Sequence, residues 1–140
     1  MFDNILLAVD GSKHAMHTAE VAGEFARKIK SANLRIVIVY EPVPSFLGEP
    51  NLQQAINARL ASAEAILEKT MKKVGKISGK IHTEVLEGTP AEAIIKVAQT
   101  RENDLIIMGS RGLGQLSGLV LGSQSQKVVS LAPCPVMIVR

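Results

Sequence analysis

The sequence predicts an α/β fold, in which a single-domain, open, parallel five-stranded sheet carries helices on both faces. Short apolar runs that suit strands alternate along the chain with amphipathic segments that suit helices. The first and fourth of these runs are continuously apolar, which is typical of strands buried on both faces. Aromatic residues make up only 3% of the chain, so aliphatic side chains must build the core.

The length and composition predict one globular domain spanning residues 1–140. The chain is 46% hydrophobic and 21% charged, which is ordinary for a soluble protein. No apolar run approaches the ~18 residues of a membrane span, and residues 1–4 lack the basic start of a signal peptide. Cys134 is the only cysteine, so an intramolecular disulfide is excluded. We expect a cytosolic (cytoplasmic) protein without membrane insertion.

The charge pattern argues against a nucleic-acid partner. The formal net charge is only +3, which is compatible with small anions but is not a nucleic-acid footprint. Five lysines crowd between positions 69 and 80, at the end of a predicted helix, where cations complement the helix dipole. Because no aromatic residues lie among them, we interpret them as a solvated helix end.

The first half of the chain predicts two strands, one helix and a long loop. A strand over Asn4 to Val9 precedes Ser12, which suits the N-cap of a helix from Lys13 to about Lys30. A second strand follows over Leu34 to Tyr40. The segment from Glu41 to Pro50 is rich in proline and glycine, and it predicts a mobile lid or an outer excursion.

The second half begins with the longest predicted helix, from Asn51 to about Val74. Ile81 to Leu86 alternates apolar and polar residues, as an edge strand does. Thr89 to Glu92 predicts a capping box with proline at the first helical position. A buried strand follows over Leu105 to Met108, and the last strand spans Val136 to Val139.

A glycine-rich segment joins the fourth strand to a helix predicted over Ser123 to Leu131. Its glycines stand at positions 109, 112, 114, 118 and 122. Glycine permits positive φ angles and lets a ligand approach the backbone closely. The helix N-terminus offers unpaired N–H groups and the positive end of a dipole, and Ser123 and Ser125 add hydroxyls. The combination favours a phosphate site over a long connection without a ligand.

The glycine spacing separates this segment from two common phosphate motifs. No lysine stands where a Walker A loop needs it, and the dinucleotide spacing G-x-G-x-x-G is also absent. The spacing Gly109-x2-Gly112-x9-Gly122-Ser123, between a strand and a helix, resembles the ATP-binding branch of the universal stress protein family. The stretches NILLAVDGS, TPAEAI, DLIIMGSRG and APCPVMIV resemble that family too, so the resemblance covers essentially the whole chain.

The resemblance implies a Rossmann-like sheet of the adenine nucleotide alpha hydrolase type, in the order 3-2-1-4-5, with a ligand crevice between strands one and four. It implies ATP and Mg²⁺ as ligands. Asp10 would approach the ribose or a phosphate-bound metal, the backbone of Val39 would meet the adenine, and Met108 would pack against the nucleoside. The complete set of implied binding residues is Ala8, Val9, Asp10, Val39, Met108, Gly109, Arg111, Gly112, Gly122, Ser123, Gln124 and Ser125.

Several of these residues have a second interpretation. Asp10 also suits a turn before a glycine. Arg111 is either a phosphate clamp or a solvated loop charge. Gln124 replaces the small apolar residue often seen there in relatives, although its side chain should not block a backbone contact. His14 and His17 stand three residues apart on one helix, where a surface pair is a simpler interpretation than a metal site.

The leading functional hypothesis is an ATP-binding regulatory or sensing homodimer. A protein partner is compatible with this hypothesis, and the sequence does not identify it. The dimer is expected to form through Val136 to Val139, an apolar strand at a predicted sheet edge.

Two other functions are compatible with the same fold. The first is a slow ATPase or an enzyme that transfers phosphate to itself or a partner. Only Asp10 and Arg111 are available for such chemistry, so hydrolysis should be slow. The second, a nucleotide-free interaction protein, is disfavoured by the intact glycine motif.

Overall fold

The computed structural model describes residues 1–30, 32–110 and 121–140. The strands of these ranges are β1 (Asn4–Val9), β2 (Asn33–Tyr40), β3 (Ile81–Glu87), β4 (Leu105–Gly109) and β5 (Val136–Val139). The α-helices are α1 (Lys13–Lys28), α2 (Asn51–Val74), α3 (Pro90–Thr100) and α4 (Ser123–Leu131). A short 3₁₀ turn, Ser45–Leu47, interrupts the connection between β2 and α2.

All five strands run parallel in one sheet, in the order β3-β2-β1-β4-β5. This confirms the predicted fold class and strand order. β1 is central, and it pairs Ile5 with Leu34 of β2 on one side and with Leu105 of β4 on the other. Because the chain order reverses between β1 and β4, a crevice is expected beyond the carboxyl ends of these two strands.

Helices cover both faces of the sheet, so the central strands are buried on both sides. Leu7 and Ile36 belong to the core cluster that includes residues of α1 and α2. Leu6 and Val37 belong to the opposite cluster, which includes residues of α3 and α4. Successive strand residues point to opposite faces, which explains why β1 needed an unbroken apolar run. Within the described ranges, no helix is long and apolar enough to cross a membrane.

Most predicted boundaries are correct to within one or two residues. Helix α1 ends at Lys28, and β2 starts at Asn33, whose N–H donates to the carbonyl of Asp3 at 2.8 Å. The expected Ser12 cap is confirmed, because the Ser12 hydroxyl accepts a hydrogen bond from the Ala15 N–H at 3.0 Å. The 3₁₀ turn between β2 and α2 was not predicted.

The capping box expected at the start of α3 is wrong in one respect. Thr89 occupies the N-cap position, and the helix starts at Pro90 as predicted. The Thr89 side chain nevertheless makes no capping hydrogen bond within the described structure. The Gln124 side chain supplies the acceptor instead, because its Oε1 accepts from the Ala91 N–H at 3.0 Å. The start of α3 is therefore capped by the first turn of α4.

Candidate functional site

The ends of β1 and β4 lie next to each other at the carboxyl edge of the sheet. β1 and β4 are neighbours with Leu7 opposite Ile107, so Asp10 and Ser110 leave the sheet side by side. The Ser110 N–H donates to the carbonyl of Val139 at 2.8 Å, which ties the exit of β4 to the end of β5. The carboxyl ends of β1, β4 and β5, which are distant in sequence, therefore lie next to one another where the crevice is expected.

Asp10 shapes the turn between β1 and α1. Its Oδ1 accepts a hydrogen bond from the Ser12 N–H at 3.0 Å, an arrangement typical of an aspartate that starts a turn. Gly11 follows with φ +86°, a conformation that favours glycine. A Cβ at Gly11 would lie 2.8 Å from Cδ1 of Ile66, so α2 also packs closely against this turn. The turn interpretation of Asp10 therefore has direct structural support.

Gly122 begins α4 next to the exit of β4. Its N–H donates to the carbonyl of Ser110 at 3.1 Å, and it occupies the N-cap position. Gly122 has φ −66° and ψ 158°, so its backbone does not use the positive φ that glycine permits. The nearest heavy atom to a Cβ placed there is the Ser110 oxygen at 3.8 Å, an ordinary contact distance. The described structure therefore leaves room for a Cβ at this position, although Gly122 itself is buried.

The polar residues of the first turn of α4 have three different environments. Ser123 is exposed. Ser125 is only 2% exposed, and its hydroxyl donates to the carbonyl of Gly109 at 3.1 Å. Gln124 caps α3 through its side-chain oxygen. Ser125 and Gln124 therefore join α4 to β4 and α3, a structural role that the sequence did not reveal.

Most of the remaining predicted binding residues lie at the carboxyl edge of the sheet or in the strands just below it. Ala8, Val9 and Met108 are buried, with Met108 at 0% exposure, and Val39 is half-buried. Met108 belongs to the core cluster that faces α3 and α4, and Val39 packs against this cluster. Arg111 and Gly112 lie outside the described residues.

Gly109 is a predicted site residue, and packing explains why it has no side chain. A Cβ at Gly109 would lie 2.6 Å from Cδ2 of His14 and 3.1 Å from Oγ1 of Thr18. His14 is half-buried here, and its Nε2 donates to the carbonyl of Val139 at 2.9 Å. The expectation that His14 belongs to a surface pair is therefore wrong, although its ring lies 6.2 Å from that of His17. The described residues contain no cluster of three or more metal-binding side chains.

The arrangement at this edge suits an anion. The first turn of α4 has no side-chain cap in the described structure, and it contains no acidic residue. Its N–H groups and the exposed Ser123 hydroxyl are hydrogen-bond donors beside the end of β4, the neighbour of β1. The positive end of the helix dipole adds to this preference.

Comparisons with known proteins agree with this architecture. The model of the universal stress protein family matches residues 1–140. A Thermus aquaticus protein named "Universal stress protein in QAH/OAS sulfhydrylase 3'region" is 49% identical over 140 residues, which is 100% of both chains. The solved structure of the universal stress protein UspA from Lactobacillus plantarum is 30% identical, with a TM-score of 0.86 over 99% of this chain and 98% of that one.

A more distant structure shares the fold. A universal stress protein family protein from Arabidopsis thaliana, solved with AMP bound, has a TM-score of 0.71 at 20% identity. The match covers 97% of this chain and 90% of that one. At this identity the likeness concerns the fold alone. Because the family model matches the entire sequence and the Thermus aquaticus protein is similar over its full length, the chain belongs to the universal stress protein family.

Proposed function

We propose that this protein binds ATP with Mg²⁺ at the carboxyl edge of its sheet and acts as a nucleotide-dependent regulatory or sensing homodimer. The observation that carries the proposal is the start of α4, which lies against the exit of β4 through the Gly122 to Ser110 hydrogen bond. A helix N-terminus without a side-chain cap favours phosphate groups, and this one lies where the strand order reverses between β1 and β4.

The proposed contacts divide between backbone and side chains. The backbone of Gly109 and Gly122 and the hydroxyl of Ser123 would hold the phosphates, with Arg111 and Gly112 assigned by the motif alone. Gln124 and Ser125 would contribute backbone N–H groups, because their side chains already serve α3 and β4. Backbone donors are well suited to an anion because they need no further ordering on binding.

The nucleoside would lie over the ends of β1 and β2. The backbone of Ala8 and Val9 would close one wall, the backbone of Val39 would meet the adenine, and Met108 would form part of the apolar floor. Asp10 would approach the ribose or a phosphate-bound Mg²⁺. One carboxylate together with phosphate oxygens is a donor set that Mg²⁺ commonly uses. The fold itself accommodates an adenine nucleotide, since the Arabidopsis thaliana protein of this fold has AMP bound.

We propose binding rather than fast hydrolysis. Efficient phosphoryl transfer needs cationic stabilisation of the transferring phosphate, usually with a lysine or arginine. Lys127 of α4 donates instead to Oε1 of Glu92 at 3.2 Å, on the side of α3. Slow ATP hydrolysis or phosphate transfer, which would rely on Asp10 and Arg111, is the second candidate.

The ligand can be identified by analysing which nucleotide co-purifies with the protein. We expect mass spectrometry after mild denaturation to detect a co-purified adenine nucleotide, with ATP as the main species. Added Mg²⁺-ATP should raise the melting temperature of nucleotide-free protein by mass action. Absence of both effects at millimolar ATP would contradict the proposal. A steady-state turnover near the ~10 s⁻¹ median of enzymes would favour the enzyme over the sensor.

A further inference from the structure

A second concave feature lies away from the proposed phosphate site, between β2 and α2. It is a groove of about 280 Å³. Ile38 and Tyr40 of β2 form one wall, and the main residues of the other wall are Ala58, Arg59, Ser62 and Ile66 of α2. The lining is mainly apolar, and its size is near the lower end of the ~300–1,000 Å³ found for small-molecule sites.

The groove and the proposed adenine contact lie on opposite faces of the sheet. Val39 packs against the core cluster facing α3 and α4, whereas Ile38 belongs to the cluster facing α1 and α2. Side chains alternate along a strand, so Tyr40 accompanies Ile38 into the groove. A ligand in the groove would therefore be separated from Val39 by the strand itself.

Arg59 gives the groove a cationic end. It is the one charged side chain among the described residues that line the groove. One of its guanidinium nitrogens, Nη1, donates to the carbonyl of Glu41, which anchors the side chain at the start of the β2–α2 connection. A guanidinium has five N–H donors, so this contact leaves others for an anionic group.

The neighbouring 3₁₀ turn adds apolar surface. Phe46 is 85% exposed and Leu47 is 40% exposed, although both are large hydrophobic residues. The turn packs against α2, which also forms one wall of the groove. An apolar groove with one anchored cation is suited to a ligand that is apolar along its body and anionic at one end.

We propose that this groove binds a small amphipathic carboxylate, with its apolar body between β2 and α2 and its carboxylate paired with Arg59. The site is independent of nucleotide binding, so it can be tested whether or not the protein binds ATP.

Octanoate and octanol are matched probes, because they share the chain length and differ in the charged group. In ¹H–¹⁵N NMR titrations we expect octanoate to shift the signals of Ile38, Ala63 and Ile66. Octanol should bind at least fivefold more weakly, because it cannot pair with Arg59. Equal affinities for the two probes would overturn the role of Arg59. If octanoate mainly shifted the NMR signals of Asp10 and Ser123, or if ATP displaced octanoate, the claim that the groove is separate from the nucleotide site would be overturned.

Three substitutions on α2 test where octanoate binds. Ser62→Phe should fill the groove and weaken octanoate binding at least tenfold, whereas Ala61→Phe adds the same side chain at the adjacent exposed position and should leave binding intact. Arg59→Gln should weaken octanoate but not octanol, which keeps the proposal testable if Ser62→Phe alters the melting curve. Unchanged octanoate affinity in folded Ser62→Phe, or in Arg59→Gln, would overturn the proposal.

Discussion

Neither its φ angle nor a clash at its Cβ requires Gly122 to be glycine within the described residues, although glycine suits the N-cap position that it occupies. Its φ of −66° is open to any residue, and a Cβ added there would meet its nearest atom at an ordinary contact distance of 3.8 Å. Gly109 differs, because a Cβ there would overlap His14 at 2.6 Å. The two described glycines of the motif are therefore distinguishable: packing explains Gly109, whereas the proposed phosphate contact would explain Gly122.

Gly122→Val should weaken ATP binding at least tenfold, or about 1.4 kcal/mol, because a branched side chain would occupy the space proposed for phosphate. The nucleotide-free variant should remain folded, because an added Cβ meets no described atom closer than 3.8 Å, but its melting temperature should fall somewhat, because Gly122 is buried and valine is a poor N-cap residue. Calorimetric titration and melting curves check both. The control is Ser130→Val, at an exposed position near the other end of α4. Ser123→Ala should weaken ATP binding by only about 1 kcal/mol, because it loses one hydroxyl contact. Unchanged ATP affinity in Gly122→Val would show that the phosphates do not bind at this position.

The single thiol should be unreactive at neutral pH. Partial burial raises the pKa of the Cys134 thiol above its ordinary value, and the Asp104 carboxylate raises this pKa further. Since the thiolate is the reactive form, the native protein should react with iodoacetamide more slowly than the urea-unfolded protein at pH 8. The difference should shrink as the pH rises through the native pKa. Equal rates at pH 8 would contradict a raised pKa.

At the scale of elements, His14 connects three pieces of secondary structure. It extends from α1, packs against Gly109 at the end of β4, and donates to the carbonyl of Val139 at the end of β5. The close approach of α1 to β4 is possible only because Gly109 has no side chain. The carboxyl ends of these strands are thus held in place by a helix on one face of the sheet.

Gly109→Ala should destabilise the fold by about 1–3 kcal/mol, the usual cost of inserting atoms into a packed region. The new Cβ would displace the His14 ring and disturb its bond to Val139. In a His14→Ala background the same substitution should cost clearly less, because the main clash is gone. Urea denaturation of the wild type, the two single variants and the double variant measures this coupling. An equal cost in both backgrounds would show that His14 is not the obstacle.

At the scale of the whole molecule, β5 is a sheet edge, and its outer side pairs with no strand among the described residues. The carbonyls of Pro135 and Val139 accept from the N–H groups of Ile106 and Ser110, at 3.0 and 2.8 Å. Backbone groups alternate in direction along a strand, so residue 138 directs its N–H and C=O away from β4. An edge of this kind favours pairing with a second copy, which is the basis of the proposed homodimer.

Ile138→Pro should convert the proposed dimer into a monomer, because proline removes an N–H on the free side of β5 and leaves the pairing with β4 intact. Ile138→Ala loses the same side chain but keeps the N–H, so it should remain a dimer. Light scattering at micromolar concentration distinguishes the two masses. A monomeric wild type, or a dimeric and folded Ile138→Pro, would contradict this interface. Deleting the strand is a poorer test, because the Val139 carbonyl also holds His14 and Ser110.

Local patterns in the chain were sufficient to predict the alternation of strands and helices and the burial of the central strands. A continuous apolar run indicates a strand covered on two faces, and β1 is such a run from Ile5 to Val9. The Ser12 cap was equally predictable, because its partner Ala15 is three residues away. The strand order needed the family resemblance as well, since alternation alone does not specify which strands are neighbours.

The pairing of distant polar groups became visible only in the folded molecule. His14 and Val139 are 125 positions apart, Ala91 and Gln124 are 33 apart, and Gly109 and Ser125 are 16 apart. No local sequence pattern predicts such pairs, because each pair depends on how the helices pack against the sheet. The groove between β2 and α2 has the same origin, since its two walls come from separate elements. Local preferences thus select the elements, whereas packing between distant segments decides which side chains remain available to a ligand.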